Sequence, residues 1–465
     1  MFVLVVGVII SRAIVFGMPY MDYAGPFLSL VIGAVGLVFA RPVWLVAWWV
    51  GTSNLFMVRF DLPGLPEMYY SQIILGVLVV GWMVKKAIIR NQNDHEKYIW
   101  HSPVTLSLMV WLTICGVSSL WALFFLGRNF FDVAYGLFAQ VILVCSYLIV
   151  AHSATTYQKI KLILFSWLFA DIVQRIVDTY LIFQEYGISI SYGQLDPVMT
   201  HNSDLNAWFA AAGFGSGGFF LVLAAAAIFM DWKRGSLALG LTLFYLLTTI
   251  LRGSRGGLIS AGIAVLAVLC FRRRFILLTI FALILMAGVV PLWDHFASAY
   301  KLDMPLLEAL NTRFALWTDA VRVIQAYPVF GAGIGSYDTF SQAALVLGTG
   351  RYFTSSSAHN SFLQMAAETG IPSLLSFVAF LGLSAWQSWR LYGSSHNPLI
   401  RSLGLGCLVW IVSGSLLGYG GDMILVYAGM VRFRWVISIA EFYTFLGLVT
   451  AASTIRRQES KGQMC

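Results

Sequence analysis

PVTLSLMVWLTICGVSSLWALFF, from Pro103 to Phe125, is an unbroken apolar run without a single charged side chain. Its length falls within the roughly 17–25 residues that an α-helix needs to cross the hydrocarbon core of a bilayer. Only helices and closed barrels satisfy their backbone hydrogen bonds there, and a barrel strand must alternate apolar with polar residues. This run does not alternate, so it reads as a helix. Similar runs begin at Met1–Phe16, Gly25–Ala40, Val43–Val58 and Tyr69–Val84, and continue after it at Phe131–Val150, Ile160–Phe183 and Leu205–Met230. Further along come Ser236–Leu251, Gly257–Phe271, Phe275–Trp293, Ser361–Trp389, Arg401–Leu417 and Trp435–Ala452. Only 11% of the 465 residues are charged, whereas a soluble domain carries roughly 25%. The expected fold is all-α: a polytopic integral membrane helical bundle of about 12–14 transmembrane helices.

The formal net charge of +8 raises the question of nucleic acid. The basic residues instead sit in short clusters between apolar runs, the pattern of topogenic loop charge, and no nucleic-acid partner is expected. The clusters are Lys85/Lys86/Arg90/Lys97, Lys159/Lys161, Lys233/Arg234, Arg272/Arg273/Arg274, Arg390/Arg401 and Arg456/Arg457/Lys461. Placed on the cytoplasmic side by the positive-inside rule, they put both termini there and send the remaining loops outward. The N-terminal MFVLVVGVIISR has no basic n-region or small-residue cleavage site, so it reads as a retained first span. The five cysteines are scattered and have neither metal-ligand spacing nor a disulfide framework.

Two outward features stand apart. Asp294 to Ala358 is a long stretch without a membrane-length run, and connections of that length are usually functional. Inside it, TRFALWTDAVRVIQAYP carries apolar residues at helical spacing and a proline stop, predicting an amphipathic helix over Thr312–Ala326. GAGIG, Gly331 to Gly335, then supplies a turn. The chain thus divides into N-terminal transmembrane helices over 1–293, a large outward helical loop over 294–360, and C-terminal helices with a short cytoplasmic tail over 361–465.

The second feature is LRGSRGG, which sets Arg252 and Arg255 on the side where arginine is disfavoured. One reading is snorkelling to lipid headgroups. The other is an anion clamp, since guanidinium matches phosphate bidentately and Gly256 and Gly257 open a helix N-terminus to close approach. Neither a nucleotide fingerprint nor a P-loop lysine accompanies the GxG pieces, which argues for phosphate but against ATP. SSSAHNSFLQMAAETG, Ser355 to Gly370, adds His359 and Asn360 on the same side, with Arg313 and Arg322 in the preceding loop. Histidine has the unperturbed pKa that suits a general base near neutrality. Cationic phosphate contacts plus a base, both outward and at the lipid boundary, point to chemistry on a lipid-linked phosphate.

Three pieces, LRGSRGGLISAG, TRFALWTDAVRVIQAYPVFGAGIGSY and AHNSFLQMAAETGIPSLLSF, occur in that order between Leu251 and about Phe377. As a trio they resemble the O-antigen ligase and polymerase superfamily of bacterial envelope glycan enzymes, which includes exopolysaccharide polymerases and O-oligosaccharyltransferases. The resemblance implies a GT-C-like membrane fold in the bacterial inner membrane, with the active site facing the periplasm. It implies an inverting, metal-independent glycosyltransferase without a cofactor, using an undecaprenyl-diphosphate-linked glycan donor. The acceptor would be a sugar hydroxyl of a glycan or of lipid A core. Partners then include the lipid bilayer and a chain-length regulator or other envelope assembly proteins. Carried over by motif, Arg255 and Arg313 resemble the diphosphate-binding arginines and His359 the essential periplasmic histidine. Arg252, Arg322, Asn360, Glu368 and Asn206 are the further candidates for diphosphate or glycan contact. Asn360 reads equally as a helix cap, and Glu368, about two turns into the following helix, as an inward-facing partner of arginine or of His359, with a second candidate base as the alternative.

Two constellations are weaker. Asp171, Arg175 and Asp178 share one face of a single span, and a self-satisfied charge ladder is the favoured account. THNSDLNAW clusters His201, Asn202, Asp204 and Asn206, too sparse a set for a metal site and better read as a cap with glycan contacts. The alternative function is a transporter or flippase of lipid-linked glycan. Such proteins tend to show repeated halves with broken helices, and no clear internal repeat is present here.

Overall fold

The computed structural model describes residues 42–52, 59–60, 68–88, 94–186, 306–340, 344–346, 352–354, 357–358, 360–420 and 434–462, with a few residues between 233 and 244. These form an all-α protein: α1 Pro42–Thr52, α2 Tyr70–Ile88, α3 Asp94–Trp100, α4 Pro103–Phe125, α5 Phe130–Ser153 and α6 Tyr157–Tyr186. After them come α7 Leu306–Ala326, α8 Tyr337–Phe340, α9 Ser361–Thr369, α10 Ile371–Ser394, α11 Pro398–Gly420 and α12 Arg434–Gly462. Two short antiparallel pairings interrupt the helices. Arg59–Phe60 pairs with Met68–Tyr69, and Ala344–Val346 pairs with Tyr352–Thr354, with Leu345 opposite Phe353. Among the described residues four stretches are long and apolar enough to cross a membrane: Pro103–Phe125, Phe130–Ser153, Ile371–Ser394 and Pro398–Ser415.

These helices carry their polarity inside out. In α10 the small polar Ser373, Ser384 and Ser388 are buried, while Leu375, Val378, Trp386 and Trp389 lie exposed. In α4 Ser118 and Ser119 are buried, and Leu106, Val110, Leu120 and Phe124 are exposed. A helix surrounded by lipid has this arrangement, because lipid tails give no reason to hide leucine and small residues let backbones approach. At Gly404 of α11 an added Cβ would stand 2.9 Å from the Ser388 carbonyl oxygen of α10.

The chain forms two compact units. The first comprises Met1–Ser102, Ile142–Val177 and Arg432–Cys465. Its core is helical: Trp167 of α6 meets Phe445 of α12 with ring centroids 4.3 Å apart. Tyr147 of α5 donates from its hydroxyl to Thr450 Oγ1 at 3.1 Å. Tyr157 donates to Glu459 at 3.0 Å, so α6 and α12 run antiparallel. Asp171 and Arg175 form a buried ion pair at 2.9 Å, the structural account favoured from sequence; the side chain of Asp178 lies outside the described residues. The second unit comprises Pro103–Val141 and Asp178–Val431 and holds α4 and α7–α11.

Two boundaries differ from expectation. The amphipathic helix begins at Leu306 rather than Thr312 and ends at Ala326 as read from sequence. The single span expected over Ser361–Trp389 is two helices, α9 and α10, broken at Gly370. Gly370 takes φ 85°, a left-handed value that suits glycine, and Pro372 in the first turn of α10 has no N–H to continue the α9 ladder.

Candidate functional site

Within the second unit, α7, the glycine loop after it and α9 meet. The helix α7 buries Leu316, Ala320 and Val323, spaced three and four residues apart. Ala320 and Val323 pack in a cluster with Ala332, Tyr337, Ala358 and Ala367, and the Tyr337 hydroxyl donates to the Leu316 carbonyl at 3.2 Å. Beyond Pro328 the chain turns through Gly331, Gly333 and Gly335, with φ of 71°, 102° and 74°. That left-handed backbone lays the loop along the C-terminal end of α9. Ala332 N–H donates to Ala367 O at 2.8 Å, Gly333 N–H to Glu368 O at 2.9 Å, and Ile371 N–H to Pro328 O at 2.9 Å. The carbonyls that a helix end leaves without partners are therefore satisfied by loop backbone. A Cβ at Gly331 would collide with the backbone of Glu368 and Thr369.

The other end of α9 is equally fixed. Asn360 Oδ1 accepts from Phe362 N–H at 3.0 Å and Leu363 N–H at 3.1 Å, a helix cap. Ala358 N–H donates to Gln364 Oε1 at 2.7 Å, Gln364 Nε2 donates to Glu368 Oε1 at 2.8 Å, and Gly335 N–H donates to Glu368 Oε2 at 3.0 Å. Gln364 is 0% and Glu368 5% exposed. From α4, Ser118 Oγ lies 2.6 Å from the Phe330 carbonyl and 3.2 Å from that of Glu368.

The predicted site residues divide as follows. Arg313 and Arg322 both lie on α7 and Asn360 and Glu368 bracket α9, so the second and third motifs come together. His359, Arg252, Arg255 and Asn206 lie outside the described residues. Arg313 and Arg322 are not neighbours: nine residues at about 100° each place them on opposite sides of the helix. Arg313 flanks the buried stripe. Arg322 is more exposed; its Nε and Nη2 reach Asp319 Oδ1 at 3.1 and 3.0 Å, and Nη2 also donates to the Phe340 carbonyl. Sequence reasoning missed three participants. Arg128, in the short connection between α4 and α5, donates from Nη2 to Ser336 O at 3.1 Å and stands 4.8 Å from the centroid of the Phe340 ring. Gln364 and Ser118 supply the side-chain bonds just described. Arg128 had a legible signal, an arginine in a loop that the charge pattern predicts to face outward, and Gln364 had its i, i+4 spacing to Glu368; Ser118 had none.

Residues 238–378 match the family model of the O-antigen ligases. This segment is similar to an O-antigen ligase domain. The match encloses α7, the glycine loop and α9, and it ends in the first turns of α10. It supports the O-antigen ligase and polymerase superfamily that the three motifs resemble, a family of membrane glycosyltransferases. No curated protein matches the chain. With the apolar helices, the O-antigen ligase match indicates a multi-pass membrane protein. Its described part joins the glycine loop to α9 through the carbonyls of Ala367 and Glu368 and through the Glu368 carboxylate.

Proposed function

We propose that the protein is an inverting, metal-independent glycosyltransferase of the polymerase or ligase type. It moves glycan from undecaprenyl diphosphate to a sugar hydroxyl at the periplasmic face of the inner membrane. The observation that carries this reading is the O-antigen ligase match over 238–378, the segment holding both arginine motifs and the His359 motif. In the proposed step, His359 takes the proton of the acceptor hydroxyl as its oxygen attacks the anomeric carbon. A glycosidic C–O bond forms, the bond from that carbon to the diphosphate oxygen breaks, and the configuration inverts. Arg255 and Arg313 stabilise the charge gathering on the departing undecaprenyl diphosphate, with Arg252 beside them. Arg322 and Asn206 are further contacts for diphosphate or glycan, while Asn360 and Glu368 act from within α9.

Electrostatic stabilisation of the leaving group is the larger contribution, about 3 kcal/mol for each lost contact. The base contributes about 10²–10⁴-fold. The test is a proteoliposome assay with lipid-diphosphate-linked glycan and acceptor, without an ion gradient. His359→Ala and Arg313→Ala are each expected to abolish product while leaving the protein inserted and folded. Near-normal turnover in either variant removes that residue from its role. Translocation of intact donor without a new glycosidic bond would replace the transferase with a flippase.

A further inference from the structure

The relay from Ala358 through Gln364 and Glu368 to Gly335 has a fixed direction. Ala358 N–H only donates, so Gln364 presents Oε1 to it at 2.7 Å and turns Nε2 toward Glu368 at 2.8 Å. Gly335 N–H, also only a donor, arrives at the other carboxylate oxygen at 3.0 Å. Two donors thus converge on residue 368, and a carboxylate meets them with two acceptors. Glutamine there would offer one acceptor oxygen and one NH₂ against those donors, leaving a donor facing a donor in a buried site.

Helix stability alone does not call for this relay. The N-terminus of α9 is already capped by Asn360, and its C-terminal carbonyls are already taken by loop N–H groups. What Gln364 and Glu368 add is a fixed separation between Gly335 and Ala358, residues from two different segments. Together with the Asn360 cap, this pins the backbone on both sides of position 359.

We propose that Gln364 and Glu368 are positioning residues whose relay locks the start of α9 to the glycine loop and so sets the backbone flanking His359 for glycosyl transfer. The inference rests on the transferase reading above, with His359 as base. It makes a specific demand. Exchanging the two residues, Gln364→Glu with Glu368→Gln, rebuilds the three links of the relay: Glu at 364 accepts from Ala358 N–H, Gln at 368 donates to it, and the amide oxygen at 368 accepts from Gly335 N–H. Either single change mismatches one link.

The experiment measures kcat and KM for transfer by wild type, Q364E, E368Q and the double exchange, with thermal midpoints for all four. In parallel, the rate at which diethyl pyrocarbonate modifies His359 is read by peptide mass spectrometry. Each single variant is expected to lose about 10²-fold in kcat, the cost of a misplaced catalytic group. KM should change little, and the His359 modification rate should be altered. The double exchange is expected to recover most of kcat and the wild-type modification rate. Singles with wild-type kcat, or a folded double exchange as inactive as the singles, would overturn the relay. A wild type that makes no product would sink the transferase reading instead; equal His359 modification rates in wild type and singles would then overturn the relay separately.

Discussion

The two units answer the same demand in different ways. In the second, the buried carboxylate of Glu368 is met by a loop N–H and by a neighbouring amide, and the end of α9 by loop backbone. In the first, buried polar groups are met by side chains a helical turn away or on a facing helix, as at Asp171–Arg175 and Tyr147–Thr450, or by helix carbonyls, as at Ser146 and Thr444. Beyond its first turn a regular helix consumes its own N–H groups, so loop backbone is the other source of donors for a side chain. The difference teaches where rigidity is placed: the second unit holds a loop in register with a helix, and the first holds helix against helix.

The sharpest way to break that contrast is a methyl group. Gly331 combines φ of 71° with a Cβ direction aimed into the backbone of Glu368 and Thr369, and backbone cannot step aside. Gly331→Ala is expected to cost about 4 kcal/mol or more, at the upper end for a single substitution. Recovery of folded protein from detergent should drop sharply. Gly382 in α10 has nothing within 4 Å of an added Cβ. Gly382→Ala should therefore be neutral or stabilising by up to about 1 kcal/mol, the helix-propensity gain. Equal thermal midpoints for the two variants would contradict the loop's role.

The same contrast governs what was legible in the sequence. Long apolar runs gave away α4, α5, α10 and α11, because crossing a bilayer demands length and hydrophobicity and little else. The glycine motif and the motif around α9 were visible as unusual chemistry, and the family match encloses both. Their docking was not visible, because it is made by the N–H groups of Ala332, Gly333 and Gly335, and a backbone donor leaves no trace in residue identity. The break at Gly370 had its signal in Gly370 and Pro372, but hydropathy runs straight through it and merges two helices into one. Glu368 was recognised as an ion needing a partner. Its amide partner, Gln364, stands one helical turn away, but its loop N–H partner, Gly335, lies 33 residues off, a separation that no periodicity encodes.

A smaller effect is expected in the first unit. Asp171→Asn removes the carboxylate 2.9 Å from Arg175 Nε, and Arg175 is 2% exposed. Taking one partner from a buried pair costs about 3–5 kcal/mol, whereas replacing both by apolar groups of similar volume is often neutral. Asp171→Leu with Arg175→Met should thus sit closer to wild type in thermal midpoint than Asp171→Asn alone. If the double substitution is the worse of the two, the pair has a task beyond satisfying itself.

The smallest effect tests how the first unit holds α3. His95 Nε2 lies 3.2 Å from the Ala151 carbonyl at the end of α5, and Trp82 and Trp100 flank His152 one residue on. Burial pushes the His95 imidazole below its ordinary pKa, against the upward pull of the Ala151 carbonyl and the nearby Glu96 carboxylate. The unfolded chain therefore binds a proton more readily than the folded one. The stability contributed by neutral His95 is fully present above about pH 6.5 and drains away as pH falls through that value toward the lower folded pKa. Glutamine at 95 donates to the same carbonyl without titrating. Compared between about pH 7.5 and 5.5, the thermal midpoint of wild type should fall further than that of His95→Gln, by a few degrees at most. Parallel losses in the two proteins would mean that α3 is held by its packing and that proton uptake at His95 is felt nowhere else in the unit.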